Sequence, residues 1–368
     1  HSRDTGQLID SEEFRYDAAA NRLNFNTSQF DHVKDNRLKR WRDQEYAYDA
    51  WGNLIEKRSG MGKLQTFVYD CENRLVRAET LVNGKLESTG AYRYDSLGRR
   101  VAKVSEVNGK TEQKHFLWQG LRMLREERPG QSSLYIYEPG SYAPLARVDQ
   151  AEGEERKLYY FHTDQIGTPL EMTDAHGSIV WQATYKAWGA VEKLAVNEVE
   201  QNLRFQGQYF DDETGLHYNT FRYYDPEVGR FVTQDPIGLN GGDNLYRYVP
   251  NPTGWIDPWG WECWSTARRK YWKAEAQAPS QVYSPANLAN MAEGKAPRMT
   301  VEVVNRKTSR KDIALELHHN DIPQRIGGSG VHETSNLLSL TPWEHEAVDS
   351  FRHVGSDLIR VVKGVDVW

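Results

Sequence analysis

The sequence predicts a mainly β chain built from repeated strand–turn–strand units, followed by a small α+β domain. The first observation is composition, since 368 residues hold 20 Tyr and 12 Trp, and aromatic residues favour strands. The second is a Tyr-Asp pair that recurs at intervals of 21 to 32 residues near the start of the chain. The third is the change of character after residue 261, where the repeat stops and a 107-residue tail begins.

The Tyr-Asp pairs each follow a short strand-like run and precede a Gly or Asn and a second strand-like run. They lie at Tyr16-Asp17, Tyr48-Asp49, Tyr69-Asp70 and Tyr94-Asp95. One such pair is an ordinary strand end, but a recurring unit of this length predicts a stacked or wound array. About 260 residues of such an array can form only part of a large closed barrel, because barrel diameter grows with strand number.

Residues 131–224 continue as strands separated by turn residues. The run Y-x-H-x-D-x-x-G-T-P lies at Tyr160 to Pro169 and contains His162 and Asp164. No nucleophile accompanies these two side chains in the sequence. We therefore expect them to serve a turn and the barrel wall, and not catalysis.

The segment from 225 to 261 carries two copies of D-P-x-G, at Asp235–Gly238 and Asp257–Gly260, with eighteen residues between them. One copy predicts a type I turn, since Asp, Pro and Gly suit its positions i, i+1 and i+3. Two copies at the point where the repeats stop indicate a seam between a carrier and a payload.

These motifs together resemble the Rhs and related YD-repeat proteins over residues 14–261. The resemblance implies that residues 1–224 form a YD-repeat barrel or shell fragment and that residues 225–261 end the core. It also implies aspartic-type self-cleavage by Asp235 and Asp257, with Arg230 as an electrostatic helper and a scissile bond near Trp261 and Glu262. The family usually has Leu where this chain has Trp261.

The chemistry of such a pair is reasonable. Two carboxylates held close together cannot both ionise easily, so one keeps its proton and acts as an acid while the other acts as a base.

Charge is divided unevenly along the chain. Residues 262–368 carry 14 basic and 13 acidic side chains, and residues 1–261 carry 32 and 39. The net charge of −7 excludes the larger part as a nucleic-acid binder on electrostatic grounds. Basic clusters at 268–270 and 306–311 of the tail are compatible with phosphate contacts, although such clusters are usually solvated surface.

Other sequence features limit the class of protein to which the chain can belong. No apolar run approaches the roughly 18 residues of a membrane span, and no signal peptide is recognisable. The chain opens with His1, so we expect a piece of a longer protein. Cys71 and Cys263 form neither a disulfide framework nor a C-x-x-C metal pair.

The tail predicts short helices and strands. Ser284 and Pro285 suit an N-cap and first helical position, Gly294 suits the helix end, and MTVEVV suits a strand. Strands are predicted at 313–317 and 336–340. Thr341-Pro342-Trp343-Glu344 is a capping box, so a helix is expected to start there.

This tail pattern resembles the ββα-metal, or HNH, nuclease family. The resemblance implies that His318 binds a metal, that His319 is the general base and that Asn336 orients it. His345 and Asp349, one turn apart on the predicted helix, are then the further ligands.

Two positions near the end of that helix stay open. His353 is the alternative third ligand to Asp349. Arg352 is a candidate phosphate contact, and a solvated helix end is an equal interpretation. His332 has no place in the pattern and is expected in a loop. The implied cofactor is one divalent ion, with Zn, Ni, Mg and Mn all open, since imidazole suits transition metals and Mg²⁺ prefers oxygen.

Two other functions remain open from the sequence. The run His345-Glu346-x-x-Asp349 is a variant of the zinc-peptidase motif H-E-x-x-H, with Glu346 as base, but it leaves His318, His319 and Asn336 without a role. Alternatively, the chain is a non-enzymatic adhesion or carbohydrate-binding scaffold.

Taken together, the resemblances imply an Rhs-type antibacterial effector of type VI secretion. Its core carries and releases residues 262–368 as an HNH endonuclease that acts on nucleic acid, DNA in preference to RNA, in the target-cell cytoplasm. The implied partners are an immunity protein, the N-terminal remainder of the core and the secretion machinery.

Overall fold

The computed structural model describes residues 3–4, 7–8, 12–23, 33–139, 141–241, 243–249, 251–254, 256–260, 264–277, 279, 283–305, 307–319, 337–341 and 361–364. The chain divides into two compact units, His1–Cys263 and Trp264–Trp368. The described part of the first unit is almost all strand and turn. The prediction of a mainly β repeat region is therefore confirmed.

A fifteen-stranded sheet dominates the first unit. Each strand pairs antiparallel with the next along the chain, from β7 at one edge to β21 at the other. Before it come three two-stranded hairpins. The strands up to β21 are β1 Arg3–Asp4, β2 Gln7–Leu8, β3 Arg15–Tyr16, β4 Arg22–Leu23, β5 Val33–Lys34, β6 Arg37–Leu38, β7 Arg40–Trp41, β8 Gln44–Tyr48, β9 Leu54–Ser59, β10 Lys63–Tyr69, β11 Leu75–Val82, β12 Lys85–Tyr94, β13 Arg100–Val107, β14 Lys110–Gln119, β15 Arg122–Arg128, β16 Gln131–Tyr137, β17 Pro144–Ala151, β18 Lys157–Thr163, β19 Pro169–Asp174, β20 Ile179–Tyr185 and β21 Val191–Asn197.

A smaller sheet of four antiparallel strands follows. Its strands are β22 Tyr209–Asp211, β23 Leu216–Asn219, β24 Arg222–Asp225 and β25 Arg230–Phe231. A short 3₁₀ helix, Gly238–Gly241, comes next. The boundary expected between residues 224 and 225 falls inside strand β24. Residues 225–260 belong to the same compact unit as the repeats.

The turns explain why Tyr-Asp recurs. At Asp49 the main-chain carbonyl accepts from Gly52 N at 3.2 Å, and the carboxylate Oδ1 accepts from Asn53 N at 2.8 Å. Gly52 has φ +85°, a conformation that glycine adopts without strain. The tyrosine then ties one repeat to the previous one, since Tyr69 Oη donates to the carbonyl of Leu54 at 2.9 Å.

The core of the first unit lies between the large and small sheets. Strand alternation sends every second side chain to the covered face, as with Phe67 in β10 and Phe116 in β14. They pack in one cluster with side chains of the small sheet, such as Tyr209, Tyr218 and Tyr223. Aromatic strand residues therefore supply most of this core.

The second unit combines two helices with short strands. Its elements are α1 Trp264–Gln277, α2 Pro285–Ala292, β26 Arg298–Asn305, β27 Lys307–Ala314, β28 Glu316–His319, β29 Leu337–Leu340 and β30 Val361–Gly364. The order β27-β26-β30 makes one antiparallel sheet, and β28 pairs with β29. Trp272, Met291, Leu317 and Leu337 belong to its separate core.

Two predicted details of this unit are confirmed. Ser284 caps α2 through its side chain, which accepts from Asn287 N, and Gly294 follows the helix with φ +82°. The predicted strand MTVEVV lies within β26.

The predicted strand at 313–317 is wrong in its bounds. The chain leaves β27 after Ala314, and Leu315 N donates to the carbonyl of Pro297 at 3.0 Å. A new strand, β28, then pairs with β29 and not with β26. The change of pairing partner could not be seen from local periodicity.

Among the described residues, no helix combines the length and apolar character that crossing a membrane requires.

Candidate functional site

Both D-P-x-G motifs form turns closed by their own aspartates. Gly238 N donates to the carbonyl of Asp235 at 2.9 Å, and Ile237 N donates to its Oδ1 at 3.1 Å. Gly260 N likewise donates to Oδ1 of Asp257 at 2.9 Å. In each turn one carboxylate oxygen is used locally, so Oδ2 is the oxygen available for a more distant partner.

Arg222 joins the two turns. Its Nη2 lies 3.2 Å from Oδ2 of Asp235 and 3.5 Å from Oδ2 of Asp257. The three residues are 2%, 8% and 2% exposed, in chain order. The two aspartates, 22 positions apart along the chain, thus meet at one nitrogen atom in the interior. A buried guanidinium offsets the repulsion between two carboxylates and fixes their orientation.

Arg222 itself is held from two sides. Its Nη1 donates to the carbonyl of Leu245 at 3.1 Å, and its Cζ lies 3.5 Å from the ring centroid of Phe231. Sequence reasoning missed this residue, because an arginine in a strand that reads RYYD has no spacing signal relative to either D-P-x-G.

Arg230, the helper named from the sequence, contacts different groups. Its Nη2 donates to the carbonyl of Asn36, and its Cζ lies 4.8 Å from the ring centroid of Tyr246. The structure therefore puts Arg222, and not Arg230, in the ion pairs with Asp235 and Asp257.

The second turn is anchored to the small sheet. Asn219 Nδ2 donates to the carbonyl of Asp257 at 2.9 Å, and Thr220 Oγ1 donates to that of Pro258 at 3.2 Å. Trp259 Nε1 donates to the hydroxyl of Tyr142 at 2.6 Å. Together these bonds hold the main chain in place immediately before the proposed scissile bond.

Close packing at Gly207 completes the anchor. A Cβ at this position would lie 2.2 Å from the carbonyl oxygen of Pro258, and Gly207 has φ +81°. Glycine is therefore required on both steric and conformational grounds.

Tyr248 covers Asp257 on another side. Asp257 N donates to its hydroxyl at 3.5 Å. Burial, with a smaller effect from the Asp257 charge, raises the pKa of Tyr248 well above its usual value. The hydroxyl therefore stays protonated and neutral beside the aspartates. Trp261 and Glu262 lie outside the described residues.

The tandem histidines of the second unit lie on a strand. In the β28–β29 hairpin, His318 pairs with Leu338 and His319 with Leu337. Leu317 and Leu337 are buried, so the hairpin belongs to the core of this unit. The predicted strand at 336–340 is observed at Leu337–Leu340.

The remaining candidates of the tail lie outside the described residues. They are Asn336, His345, Glu346, Asp349, Arg352, His353 and His332, together with the predicted helix that begins after Thr341. In the part of the chain that is described, no group of three His, Cys, Asp or Glu side chains could hold a metal ion.

His162 and Asp164 behave as structural residues. Asp164 Oδ1 accepts from Ile166 N at 3.0 Å and from Thr168 N at 2.8 Å, which closes a turn. His162 is exposed on β18, with Nε2 3.0 Å from Thr173 Oγ1. Cys71 is exposed and free, and Cys263 lies outside the described residues.

Comparison with known proteins decides the family. The model of the teneurin YD-shell family matches residues 2–251. The chain belongs to the teneurin YD-shell family. The Tyr-Asp repeats and the large meandering sheet are the features of the YD shell in this chain, and the predicted membership of the Rhs/YD-repeat proteins is confirmed.

Several curated relatives of this YD-shell chain are named as toxins or nucleases. It is 45% identical to double-stranded DNA deaminase toxin A of Burkholderia cenocepacia, over 68% of this chain and 19% of the relative. It is 34% identical to probable deoxyribonuclease RhsA of Dickeya dadantii, over 61% of this chain and 16% of the relative. It is 29% identical to tRNA nuclease WapA of Bacillus subtilis, over 89% of this chain and 14% of the relative.

The YD-shell chain thus spans less than a fifth of the length of these relatives. Among solved structures, a crystal structure of TcdB2-TccC3-Cdc42 aligns with a TM-score of 0.46 at 20% identity, over 67% of this chain and 15% of that one.

Proposed function

We propose that this chain is part of an Rhs-type antibacterial toxin whose second unit is an HNH endonuclease, released by cleavage near Trp261–Glu262. The observation that carries the nuclease proposal is the antiparallel pairing of Glu316–His319 with Leu337–Leu340. It sets the tandem histidines on the first strand of a hairpin, and the second strand runs straight into the capping box at Thr341. With the helix that the sequence predicts after Thr341, this hairpin would give the order strand, strand, helix of the ββα-metal motif.

The relatives support a nucleic-acid target. Their names include a DNA deaminase, a deoxyribonuclease and a tRNA nuclease. The alignment with the tRNA nuclease covers 89% of this chain, whereas the first unit holds 263 of 368 residues, or about 71%. That alignment therefore reaches into the second unit.

Each candidate residue has a chemical role in this proposal. Imidazole ordinarily titrates near neutral pH, so a neutral His319 can take a proton from water, and Asn336 orients it. His318, His345 and either Asp349 or His353 would hold the divalent ion. Two imidazoles and a carboxylate suit Zn or Ni better than Mg. When bound, such an ion offsets charge on the scissile phosphate and the leaving oxygen.

The nuclease test uses the full chain and residues 262–368, each incubated with plasmid DNA and with tRNA. Zn²⁺, Ni²⁺, Mg²⁺ and Mn²⁺ are supplied singly, with EDTA as a further arm. We expect cutting that requires metal and falls at least 100-fold in His319→Ala, because general-base catalysis contributes 10²- to 10⁴-fold. His115→Ala, at an exposed position of the first unit, is the matched control.

The outcomes separate the alternatives. Cutting of tRNA alone would keep the mechanism and change the substrate. Metal-dependent cleavage of a protein substrate that is lost in Glu346→Ala but kept in His319→Ala would favour a zinc peptidase. No cutting under any ion, together with binding to glycans, would favour an inert scaffold and reject the nuclease.

Release of the second unit is supported by the two buried aspartates that meet at Arg222. In this proposal one carboxyl supplies a proton to the leaving group and the other accepts one from water, with Arg222 setting their orientation. The turn at Asp257–Gly260 is anchored to the small sheet and fixes the chain immediately before the bonds to be cleaved.

Mass spectrometry of the purified chain tests release. We expect a break near Trp261–Glu262 that Asp235→Asn or Asp257→Asn abolishes. The Asp212→Asn variant, changed at an exposed position of the same unit, should be cleaved to the same extent as the wild type. An intact wild-type chain, or cutting that survives both substitutions, would reject self-cleavage by this pair without bearing on the nuclease.

Delivery, partners and place of action follow from the Rhs assignment. We infer secretion from the producing bacterium, action in the target-cell cytoplasm and neutralisation by an immunity protein in the producer. The relatives' greater length supports an N-terminal remainder of the core.

A further inference from the structure

A pocket of about 290 Å³ lies in the first unit, where the β3–β4 hairpin approaches residues 228–230 and 244–249. Its walls carry three arginines, Arg22, Arg230 and Arg247, beside the indole of Trp188. Asp17 is the single acidic residue among the described lining residues. Its carboxylate already accepts from Ala19 N and from the main chain and side chain of Asn21, because it closes a Tyr-Asp turn. Basic side chains therefore outnumber acidic ones in the lining of the pocket.

Arg230 is buried in this wall without an anionic partner. It is 8% exposed, and no carboxylate of the described residues lies within ion-pair distance of its guanidinium. Its Nε has no hydrogen-bond acceptor among them. Burial lowers the pKa of Arg230. A buried charge that lacks a partner is costly, so an anion that reached it would be bound.

Other buried arginines of the unit are compensated. Arg100 lies 2.5 Å from Asp211, and Arg147 lies 2.5 Å from Asp149. Burial disfavours the charge of Arg100, but Asp211 outweighs it and the pKa is raised. Arg230 thus differs from the buried arginines of this unit that are paired with a carboxylate.

Trp188 contributes a second buried donor. Its ring is 6% exposed, and its Nε1–H has no well-aligned acceptor among the described residues, although its proximity to the Tyr16 hydroxyl lowers the pKa of that group against the larger effect of burial. Gly229 makes room for it, since a Cβ there would lie 2.7 Å from the indole. Most buried indole N–H groups are hydrogen-bonded, so this one indicates an absent acceptor.

Arg22 supplies charge on another wall. Its Cζ lies 4.6 Å from the ring centroid of Phe14 and 5.0 Å from that of Trp41, and Nη1 donates to the carbonyl of Glu227 at 3.4 Å. Burial lowers its pKa too. The aromatic rings hold its planar group in position without neutralising it.

Arg204 shows what a buried arginine without a ligand looks like. It also lacks a carboxylate partner among the described residues, and its Nε has no acceptor there either. Its Nη1 donates to the carbonyls of Gln201 and Leu203, much as Nη2 of Arg230 donates to that of Asn36, so the two arginines differ in the space beside them. The cavity beside it measures only about 30 Å³. Such a space suits water and not a larger anion.

We propose that the pocket between Arg22, Trp188 and Arg230 binds a small oxyanion, a carboxylate or a phosphate. Arg230 Nε–H and Trp188 Nε1–H donate to its oxygens, and Arg22 contributes positive charge. The anion is either a free metabolite or an acidic group of another polypeptide segment, since both present the same oxygens. Nothing in the proposed nuclease or self-cleavage chemistry requires this site.

The test is isothermal titration of the full chain with inorganic phosphate and, separately, with glutarate. Ionic strength is held constant with NaCl, and thermal unfolding is followed in parallel. We expect one saturable site and a melting temperature that rises with the logarithm of anion concentration. Arg22→Gln should weaken binding at least tenfold. Trp188→Phe keeps the ring, loses the donor and should also weaken binding.

Arg77→Gln is the matched control, because this arginine is 62% exposed and paired with Glu79. It should bind as the wild type does. Arg230→Met tests the central residue, and near-wild-type thermal unfolding without anion would show that it folds. Phosphate alone binding would assign a phosphate group, glutarate alone a carboxylate, and both a general oxyanion site.

The proposal is overturned if neither anion binds beyond the effect of NaCl. It is also overturned if Arg22→Gln and Trp188→Phe bind as tightly as the wild type.

Discussion

Buried charges in the first unit are held by partners far away in sequence. Lys103 Nζ lies 2.9 Å from Asp211 and 2.8 Å from Glu213, and Arg100 shares Asp211 with it. These pairs join the large sheet to the small one, as Arg222 joins the two D-P-x-G turns. Removing one partner of such a pair costs about 3–5 kcal/mol, because the other charge stays buried. A few buried ion pairs therefore fix how the small sheet packs against the large sheet.

His217 gives this unit a predicted dependence on pH. Burial, helped by the charge of Arg204, lowers the pKa of His217 well below its usual value. The ring stays neutral in the folded state, whereas it takes a proton below about pH 6.5 in the unfolded state. Stability is therefore complete above pH 6.5 and falls as the pH drops, by about 1.4 kcal/mol per pH unit.

Denaturant unfolding between pH 7.5 and 5 measures this slope. His217→Asn should flatten it by about that amount, because the titrating group is gone. His115→Asn, at an exposed position, should leave it unchanged. An identical slope in wild type and His217→Asn would show that another group is responsible.

At the level of elements, the same aspartate-closed turn serves two purposes. In the repeats, Asp closes the turn and Tyr bonds to the previous unit, as Tyr94 Oη does to the carbonyl of Leu75 at 2.6 Å. In the D-P-x-G turns, the same local closure by Asp leaves Oδ2 for Arg222. The contact of each Oδ2 with Arg222 is thus what turns two ordinary aspartate-closed turns into a candidate reactive pair.

Gly207 provides a prediction at this scale. Gly207→Ala forces a Cβ against the carbonyl oxygen of Pro258, so the second turn must move and Asp257 with it. We expect cleavage near Trp261–Glu262 to fall at least tenfold, measured as the cleaved fraction by mass spectrometry over time.

Gly215→Ala separates sterics from backbone strain. Gly215 has a similar φ of +75°, but no heavy atom lies within 4 Å of an added Cβ. Both variants carry the strain of a left-handed alanine, of the order of 1–2 kcal/mol. Cleavage should survive in Gly215→Ala. Equal losses in the two variants would mean that stability, and not the position of the turn, controls cleavage.

At the level of the whole molecule, each unit has its own apolar core. The clusters around Tyr135 and Met172 and around Tyr224 draw only on the first unit, and the cluster around Trp272 draws only on the second. Separate cores favour separate cooperative transitions. This organisation agrees with a carrier and a payload that part after cleavage.

Differential scanning calorimetry should therefore resolve two transitions. Trp272 and Met172 are each 0% exposed, one in each core. Trp272→Ala should destabilise the second unit by about 3–5 kcal/mol and leave the other transition in place. Met172→Ala should destabilise the first unit by about 2–5 kcal/mol and spare the second. A single transition shifted by either substitution would contradict independent units.

The sequence by itself determined the repeat, the turns and the family. Period-two alternation, Asp-x-x-Gly turns and the capped helix at Ser284 depend on residues close together in the chain, so local patterns predict them. The sequence also predicted the pairing of Asp235 with Asp257, because each begins a copy of the D-P-x-G motif and the resemblance to Rhs proteins relates the two copies.

Only the tertiary structure decided the partner of that pair. Arg222 reaches both aspartates, and Arg230 enters a different pocket, because the small sheet brings distant segments together. The break at Leu315 arises in the same way, from the exchange of β26 for β29 as pairing partner. Contacts between residues far apart in sequence depend on how the sheets pack together. This packing produces no periodic pattern in the sequence, so local patterns do not predict it.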